Sequence, residues 1–304
     1  MRCRAVFVTV AVVAAASLQA QTGDAPVRVI ERARGQTVTF DAMVADLAQA
    51  DVLFVGEQHD SAITHRLELA VLQGLARRRG DLILALEMFE RDVQEPLDHF
   101  QMGHMTEDEF LKVSRPWPRY ATDYKALVEF AIANNWPVIA SNVPRPIAAD
   151  VATMGLDILK TKSALETGWF AADLQCPTGD DYFTRFVAAM SDHPIAPGLA
   201  IAEADQRQTL ERMYLAQCVK DETMGESVAR AWQIGAISGR RPLVVHVNGA
   251  FHSDFGEGTA ARAGRRLPGR RLVVLSILPV DNLDAVAPDG AERKRADYLV
   301  YTIK

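Results

Sequence analysis

The chain has 304 residues, about half of them hydrophobic, and Asp and Glu slightly outnumber Lys and Arg for a net charge of −6. That length and apolar content suffice for a large buried core. Mild acidity with interspersed charges excludes the basic footprint of a nucleic-acid binder, and the Arg-rich stretch from Arg262 to Arg271 reads as a solvated loop between two elements.

At the start of the chain, Arg2 and Arg4 precede the apolar run Ala5 to Ala16, and Ser17 to Ala20 supplies small residues for cleavage near Ala20. This is the pattern of a secretory signal peptide, shorter than the roughly 20 apolar residues that span a bilayer. Cys3 lies ahead of the apolar run, where it cannot become a lipidated first residue. The expectation is a signal peptide over residues 1–20 and a single α/β domain over 21–304, periplasmic or secreted, with no lipid anchor and no transmembrane segment. Cys176 and Cys218 then remain in an oxidising compartment, and a pair there is expected to form a disulfide. Thiolate ligation of a metal is the rival reading, but the Cys-x-x-Cys spacing of zinc sites is missing.

Val27 to Ile30 and Val38 to Phe40 read as short strands and Ala42 to Ala50 as a helix. Val52 to Val55 is a buried strand ending in Gly56-Glu57-Gln58-His59, followed by a helix from Ser61 to Arg78, with Asp60 or Ser61 as its N-cap and Gly80 closing it. Leu82 to Leu86 is the next strand and ends in Glu87. Val93 to Lys112 forms one or two short helices, Arg115 to Pro118 a rigid loop, and a helix capped by Thr122 places Tyr124, Leu127, Val128, Ala131 and Ile132 on one face. Pro137 to Ala140 is a third strand, with Ser141 and Asn142 at its end. Residues from about 145 to 239 form a helical insertion, interrupted by a polar stretch from Gln175 to Asp181 and a break from His193 to Gly198. Strands Leu243 to Val247 and Leu272 to Leu278 follow, and Tyr298 to Ile303 is expected as an edge strand.

Strands alternating with helices imply an α/β fold: a mainly parallel central sheet with helices on both faces, because parallel strands need crossover connections. Ligands of such sheets bind outside the carboxyl ends of the strands. Glu57, His59, Glu87, Asn142, Asn248 and His252 all fall at or just beyond such ends, and Gly249-Ala250-Phe251-His252 repeats the Gly-x-x-His spacing of the first turn. Two carboxylates and two imidazoles, Glu57, His59, Glu87 and His252, could hold a divalent ion with an open position for water, or let one glutamate act as general base beside a bound electrophile.

Other residues carry a structural reading beside the functional one. His65, one turn into its helix, could face the crevice but reads as solvated; His246, inside a strand, reads as a satisfied buried histidine; and His193 reads as a loop residue. His99 and His104, near Met102 and Met105, fit core packing better than soft ligation. Gln217 and Asp221 interrupt an apolar helical stripe of Met213, Met224 and Val228, so they face a polar cavity or the helix is partly exposed. Arg145 could bind a carboxylate or phosphate, or form a structural salt bridge.

Taken together, Val55 to His59, Leu86 to Phe89, Ile139 to Arg145, Ala216-Gln217 with Lys220 to Met224, and Val247 to His252 resemble the ChaN-type haem-binding uptake family, within the wider Tiki/TraB/erythromycin-esterase superfamily. The resemblance runs from about Ala50 to Leu278. It implies an exported protein of iron or haem uptake with haem as cofactor, while the wider superfamily implies a metal-dependent hydrolase or peptidase using Mn, Zn or Co at the two Gly-x-x-His motifs and the glutamate pair. Members of the uptake family can be lipoproteins, from which this chain departs. For haem, Tyr120 and Tyr124 are candidate axial ligands, against a packing role, with Asn142, Arg145, Gln217 and Asp221 as further binding residues. A non-catalytic module for another small-molecule ligand is the third reading. Whether the chain is an enzyme, and its oligomeric state, stay open at this point.

Overall fold

A computed structural model describes residues 25–191, 203–237 and 239–304. The signal-peptide reading and the break from His193 to Gly198 lie outside the described residues. Eight strands, β1 (Val27–Glu31), β2 (Gln36–Val38), β3 (Val52–Glu57), β4 (Leu82–Glu90), β5 (Val138–Asn142), β6 (Leu243–Gly249), β7 (Leu272–Val280) and β8 (Tyr298–Ile303), form one sheet in the order β2-β1-β8-β7-β3-β6-β4-β5. Pairings from β8 through β5 are parallel, and β1 lies antiparallel to both β2 and β8. The alternating apolar strands therefore build the mainly parallel α/β sheet expected of them.

Nine α-helices are described: α1 (Phe40–Leu47), α2 (Ala62–Ala76), α3 (Gln94–Gln101), α4 (Glu107–Ser114), α5 (Lys125–Ala133), α6 (Arg145–Met154), α7 (Asp181–Ser191), α8 (Glu203–Gly235) and α9 (Gly258–Arg266). The two-residue period of a strand sends successive side chains to opposite faces. Leu53, Val55, Leu84, Leu86, Val245 and Leu275 pack with α1, α2 and α5, through residues such as Leu47, Leu67, Val71 and Val128. Val52, Phe54, Ile83, Ala85, Val244 and Val274 pack on the other face with α8 and α9, through Val228, Trp232, Ala260 and Ala263. Each Leu or Phe removed from these layers should cost about 2–5 kcal/mol, the range for truncations in tightly packed cores.

Three local readings change. Tyr298–Ile303 is an interior strand, because the β1–β2 hairpin adds outside it and β2 and β5 take the edges. Thr122 is no helix cap: Tyr120–Tyr124 forms a π-helical turn leading into α5, and the Thr122 hydroxyl donates to Asp123 Oδ1 at 2.8 Å. Ser61, one of the two residues expected there, does occupy the N-cap position of α2, without a side-chain cap bond. The Arg-rich stretch is largely helix α9, where Arg262, Arg265 and Arg266, sharing a face at i, i+3 and i+4, converge on the buried Glu222 carboxylate of α8.

The polar stretch from Gln175 precedes α7, and Cys176 there is disulfide-bonded to Cys218 of α8 across 42 residues. Among the described residues no helix is long and apolar enough to cross a membrane.

Candidate functional site

Register places the two Gly-x-x-His turns side by side. β3 and β6 are parallel neighbours in which Gly56 pairs with Asn248 and Glu57 with Gly249. β4 flanks β6 on its other side, with Leu86 opposite Val247, so Glu87 emerges one position beyond the same edge. Both glycines are needed for the close approach. A Cβ at Gly56 would lie 3.1 Å from Ala250 Cα, and one at Gly249 would lie 2.6 Å from His59 Nε2. His59 therefore rests against the second turn, which is how two motifs nearly two hundred residues apart come to share a crevice.

Glu57 centres the first cluster. Its carboxylate is buried, and Oε1 accepts from Tyr124 Oη at 2.8 Å and pairs with His59 Nδ1 at 2.5 Å. Oε2 faces His65 Nδ1 at 3.1 Å, and the same nitrogen lies 3.2 Å from Glu68 Oε2. On its far side, His65 Nε2 meets the His59 carbonyl at 3.3 Å and Asp123 Oδ2 at 3.4 Å, while Asp123 is held by Arg119 Nε at 2.6 Å. Burial by itself would raise the Glu57 pKa, but the hydrogen bonds from His59 and His65 outweigh it and hold the carboxyl well below its ordinary range. Burial opposes charge on His65 too, yet its bonds to Glu57 and Glu68 lift it to about 10. Glu68 moves the opposite way, raised by full burial and by the neighbouring Glu57 charge.

Glu87, Asp221 and His252 form the second cluster. His252 Nδ1 donates to Asp221 Oδ1 at 2.7 Å, its Nε2 lies 3.3 Å from Glu87 Oε1, and Glu87 Oε2 accepts the Gly249 amide at 2.7 Å. Asp221 also accepts from Tyr182 Oη at 2.6 Å and Thr259 Oγ1 at 2.8 Å. The Gln217 amide nitrogen sits 3.3 Å from His252 Nδ1. Burial would keep His252 neutral, but the charges of Glu87 and Asp221 raise its pKa to about 10; reciprocally, against burial, the charge and bond of His252 lower Glu87 to about 2.

The four residues expected to gather as one set thus fall into two adjoining clusters, with His59 between them. Among the described residues, the His, Cys, Asp and Glu group whose ligand atoms lie within 4.8 Å of one another is Glu57, His65 and Glu68. His65, which reads as a solvated helix residue, has a side chain only 4% exposed. Sequence reading passed over Glu68, Asp123, Tyr182 and Thr259. The available signal was the i, i+3 spacing of His65 and Glu68, which places both on the helix face turned back to Glu57.

The remaining candidates separate by exposure and partner. Gln217 and Asp221 do face a polar cluster. Asn142 is buried and donates to the Glu87 carbonyl at 3.2 Å, bracing the strand end. Arg145 pairs with Glu90 at 2.5 Å, the salt bridge weighed for it. Tyr120 and Tyr124 are 3% and 1% exposed; the Tyr120 hydroxyl has no hydrogen-bond partner and Tyr124 serves Glu57. His246 is buried between Ser141 and Asn248, as expected, and burial lowers its pKa to about 4. His59 is the open member, its side chain 43% exposed and edge-on to Trp117 at 4.9 Å between ring centroids.

Chemically, His59 offers an imidazole whose Nδ1 is fixed by a carboxylate, and His252 is an imidazolium held between two carboxylates. Replacing Gly249 by Ala should displace the half-exposed His59 ring without large loss of stability, and His59 should then titrate closer to its ordinary value of 6.5, where the raised value reflects its bond to Glu57 and the Glu87 charge working against burial. NMR titration of the His59 ring checks this; an unchanged His59 titration would show that the contact with Gly249 does not position it. The His252 contribution to stability should be complete below pH 6.5 and disappear as pH rises through about 10, while that of Glu87 is complete above pH 4.5 and disappears as pH falls through about 2. Urea unfolding of wild type against His252→Asn should show the largest difference between these limits, about 3–5 kcal/mol as for a broken buried pair, and a much smaller one near pH 10.

Residues 43–263 match the family described as haem-binding uptake, Tiki superfamily, ChaN. A solved structure described as cofacial heme binding to ChaN of Campylobacter jejuni superposes with a TM-score of 0.66 at 15% identity, covering 91% of this chain and 97% of that one. The chloroplastic protein RETICULATA-RELATED 5 of Arabidopsis thaliana is 24% identical over 272 residues, which are 84% of this chain and 34% of the relative. The chain thus spans about a third of the length of that relative. With the family match extending over well more than half of its length and enclosing both Gly-x-x-His turns, this chain belongs to the ChaN haem-binding uptake family of the Tiki superfamily.

Proposed function

We propose that the protein binds haem, outside the cytoplasm, as part of iron or haem uptake. The observation that carries this reading is the family match across residues 43–263. Export is supported by the charged and apolar start of the chain and by the Cys176–Cys218 disulfide, a bond that persists in oxidising compartments.

Within the site, His59 is the residue best presented to an iron. Haem iron takes an axial His, Tyr, Met or Cys, and the buried Tyr120 and Tyr124 hydroxyls point away from solvent. His59 is open, stands edge-on to Trp117, and has its Nδ1 held by Glu57. A carboxylate on the far nitrogen orients a ligating imidazole and raises its basicity. The proposed roles are therefore axial ligation by His59 Nε2, stacking by Trp117, and orientation of His59 by Glu57. A cleft of about 630 Å³ opens on the other side of the same turn, between Ile63, Arg66, Leu278 and Ile303. None of its lining residues is a haem ligand, which favours the Trp117 side.

Hemin added to micromolar purified protein should produce a shifted Soret band that saturates. His59→Ala should weaken binding by at least about tenfold, while Tyr120→Phe should leave the spectrum as in wild type. No Soret shift with wild-type protein would refute haem binding. A shift unaffected by His59→Ala would refute the axial role alone.

A further inference from the structure

We propose that Glu57, His65 and Glu68 form a site for one first-row divalent cation, Mn²⁺ or Zn²⁺, beneath the first Gly-x-x-His turn. The site shares Glu57 with the haem surface above it, Oε1 serving His59 and Oε2 facing His65, but it is tested on haem-free protein and does not depend on that reading. Three observations support it.

The donor atoms are spaced for an ion. His65 Nδ1 lies 3.1 Å from Glu57 Oε2 and 3.2 Å from Glu68 Oε2, and all three groups have ligand atoms within 4.8 Å of one another. Ligands about 2.1 Å from a common cation, at octahedral to tetrahedral angles, are separated by about 3.0–3.4 Å. One imidazole and two carboxylates also suit Mn²⁺ or Zn²⁺ and leave a position for water.

The residues around the donors are those of a metal site. A ligating histidine usually gives its other ring nitrogen to a carboxylate or carbonyl, which fixes the ring. His65 Nε2 faces both, Asp123 Oδ2 and the His59 carbonyl, and Asp123 is anchored in turn by Arg119 and Thr122. Glu57 is oriented by Tyr124 and His59 through Oε1, which leaves Oε2 for the ion.

Oxygens are left over. Glu68 Oε1 accepts no hydrogen bond, and Glu57 Oε2 has only the His65 ring nitrogen, which it shares with Glu68, although both residues are at most 2% exposed. A carboxylate oxygen left without a partner this deep is costly, because it has given up its water. A cation placed between Glu57, His65 and Glu68 would engage both carboxylates, displacing the proton on His65 Nδ1 to solvent, as metal binding to imidazole does.

The experiment uses full-length haem-free protein, stripped with a chelator and dialysed against Mn²⁺ or Zn²⁺, followed by elemental analysis and thermal unfolding. Wild type should retain about one ion per chain and gain thermal stability on loading. Glu68→Gln should lose the ion and the gain, and without metal it should unfold no lower than stripped wild type, which shows that it folds. Asp123→Asn, which leaves the three donor residues in place, should weaken binding by about 10–100-fold, the usual effect of such partners. His252→Ala should retain the ion, since it belongs to the neighbouring cluster. Wild type retaining no ion would overturn the proposal, the two glutamates then sharing a proton instead. So would loss of the ion on His252→Ala with retention on Glu68→Gln.

Discussion

Glu57 is a carboxylate at the end of a central strand, with its side chain withdrawn from water. Such a group stays charged only if donors surround it, and that demand organises the region. The first turn must bring His59 back over it, α2 must present His65, and the π-helical turn before α5 must deliver the Tyr124 hydroxyl. Three elements from separate parts of the chain are thereby fixed to one carboxylate. Asp123, on the same turn as Tyr124, steadies His65 from behind, so the irregular segment does more for the site as a π-turn than a regular helix start would.

The second cluster repeats the pattern in mirror fashion, with the cation at its centre. His252 is held between Asp221 of the long helix and Glu87 of β4, so α8 is clamped to the sheet edge through a charge pair as well as through its apolar face. Asp221 is itself satisfied by Tyr182 and Thr259, from α7 and α9. The long excursion between β5 and β6 therefore supplies one wall of the crevice, and its polar stripe is the part that faces inward. Between the clusters, His59 touches the backbone of the second turn and remains open to ligand.

Much of this was legible beforehand, because it follows from short-range rules. Strand periodicity located the sheet, and the crevice rule for parallel sheets located the edge on which Glu57, His59, Glu87, Asn142 and His252 gather. Strand order was not legible: nothing local says that β6 inserts between β3 and β4, yet that insertion is what makes the two Gly-x-x-His turns neighbours. The same applies to the interior position of β8. His65 and Glu68 were hidden for a different reason. Polar residues on the first turns of a helix usually face water, and only the buried charge of Glu57 reverses that preference here. Arg262, Arg265 and Arg266 looked like a solvated loop because their counter-charge, Glu222, lies on another helix.

The central claim is that Glu57 is an ionised carboxylate enclosed by His59, His65 and Tyr124, and the most direct measurement is a carbon-13 NMR titration of its side-chain carboxyl. The account predicts that this signal stays flat through the ordinary glutamate midpoint of 4.5 and moves only at lower pH or on unfolding. Against burial, the bonds from His59 and His65 hold the charge in place. A titration step near 4.5 or above would contradict it, because Glu57 would then be neutral where its surrounding donors require a charge.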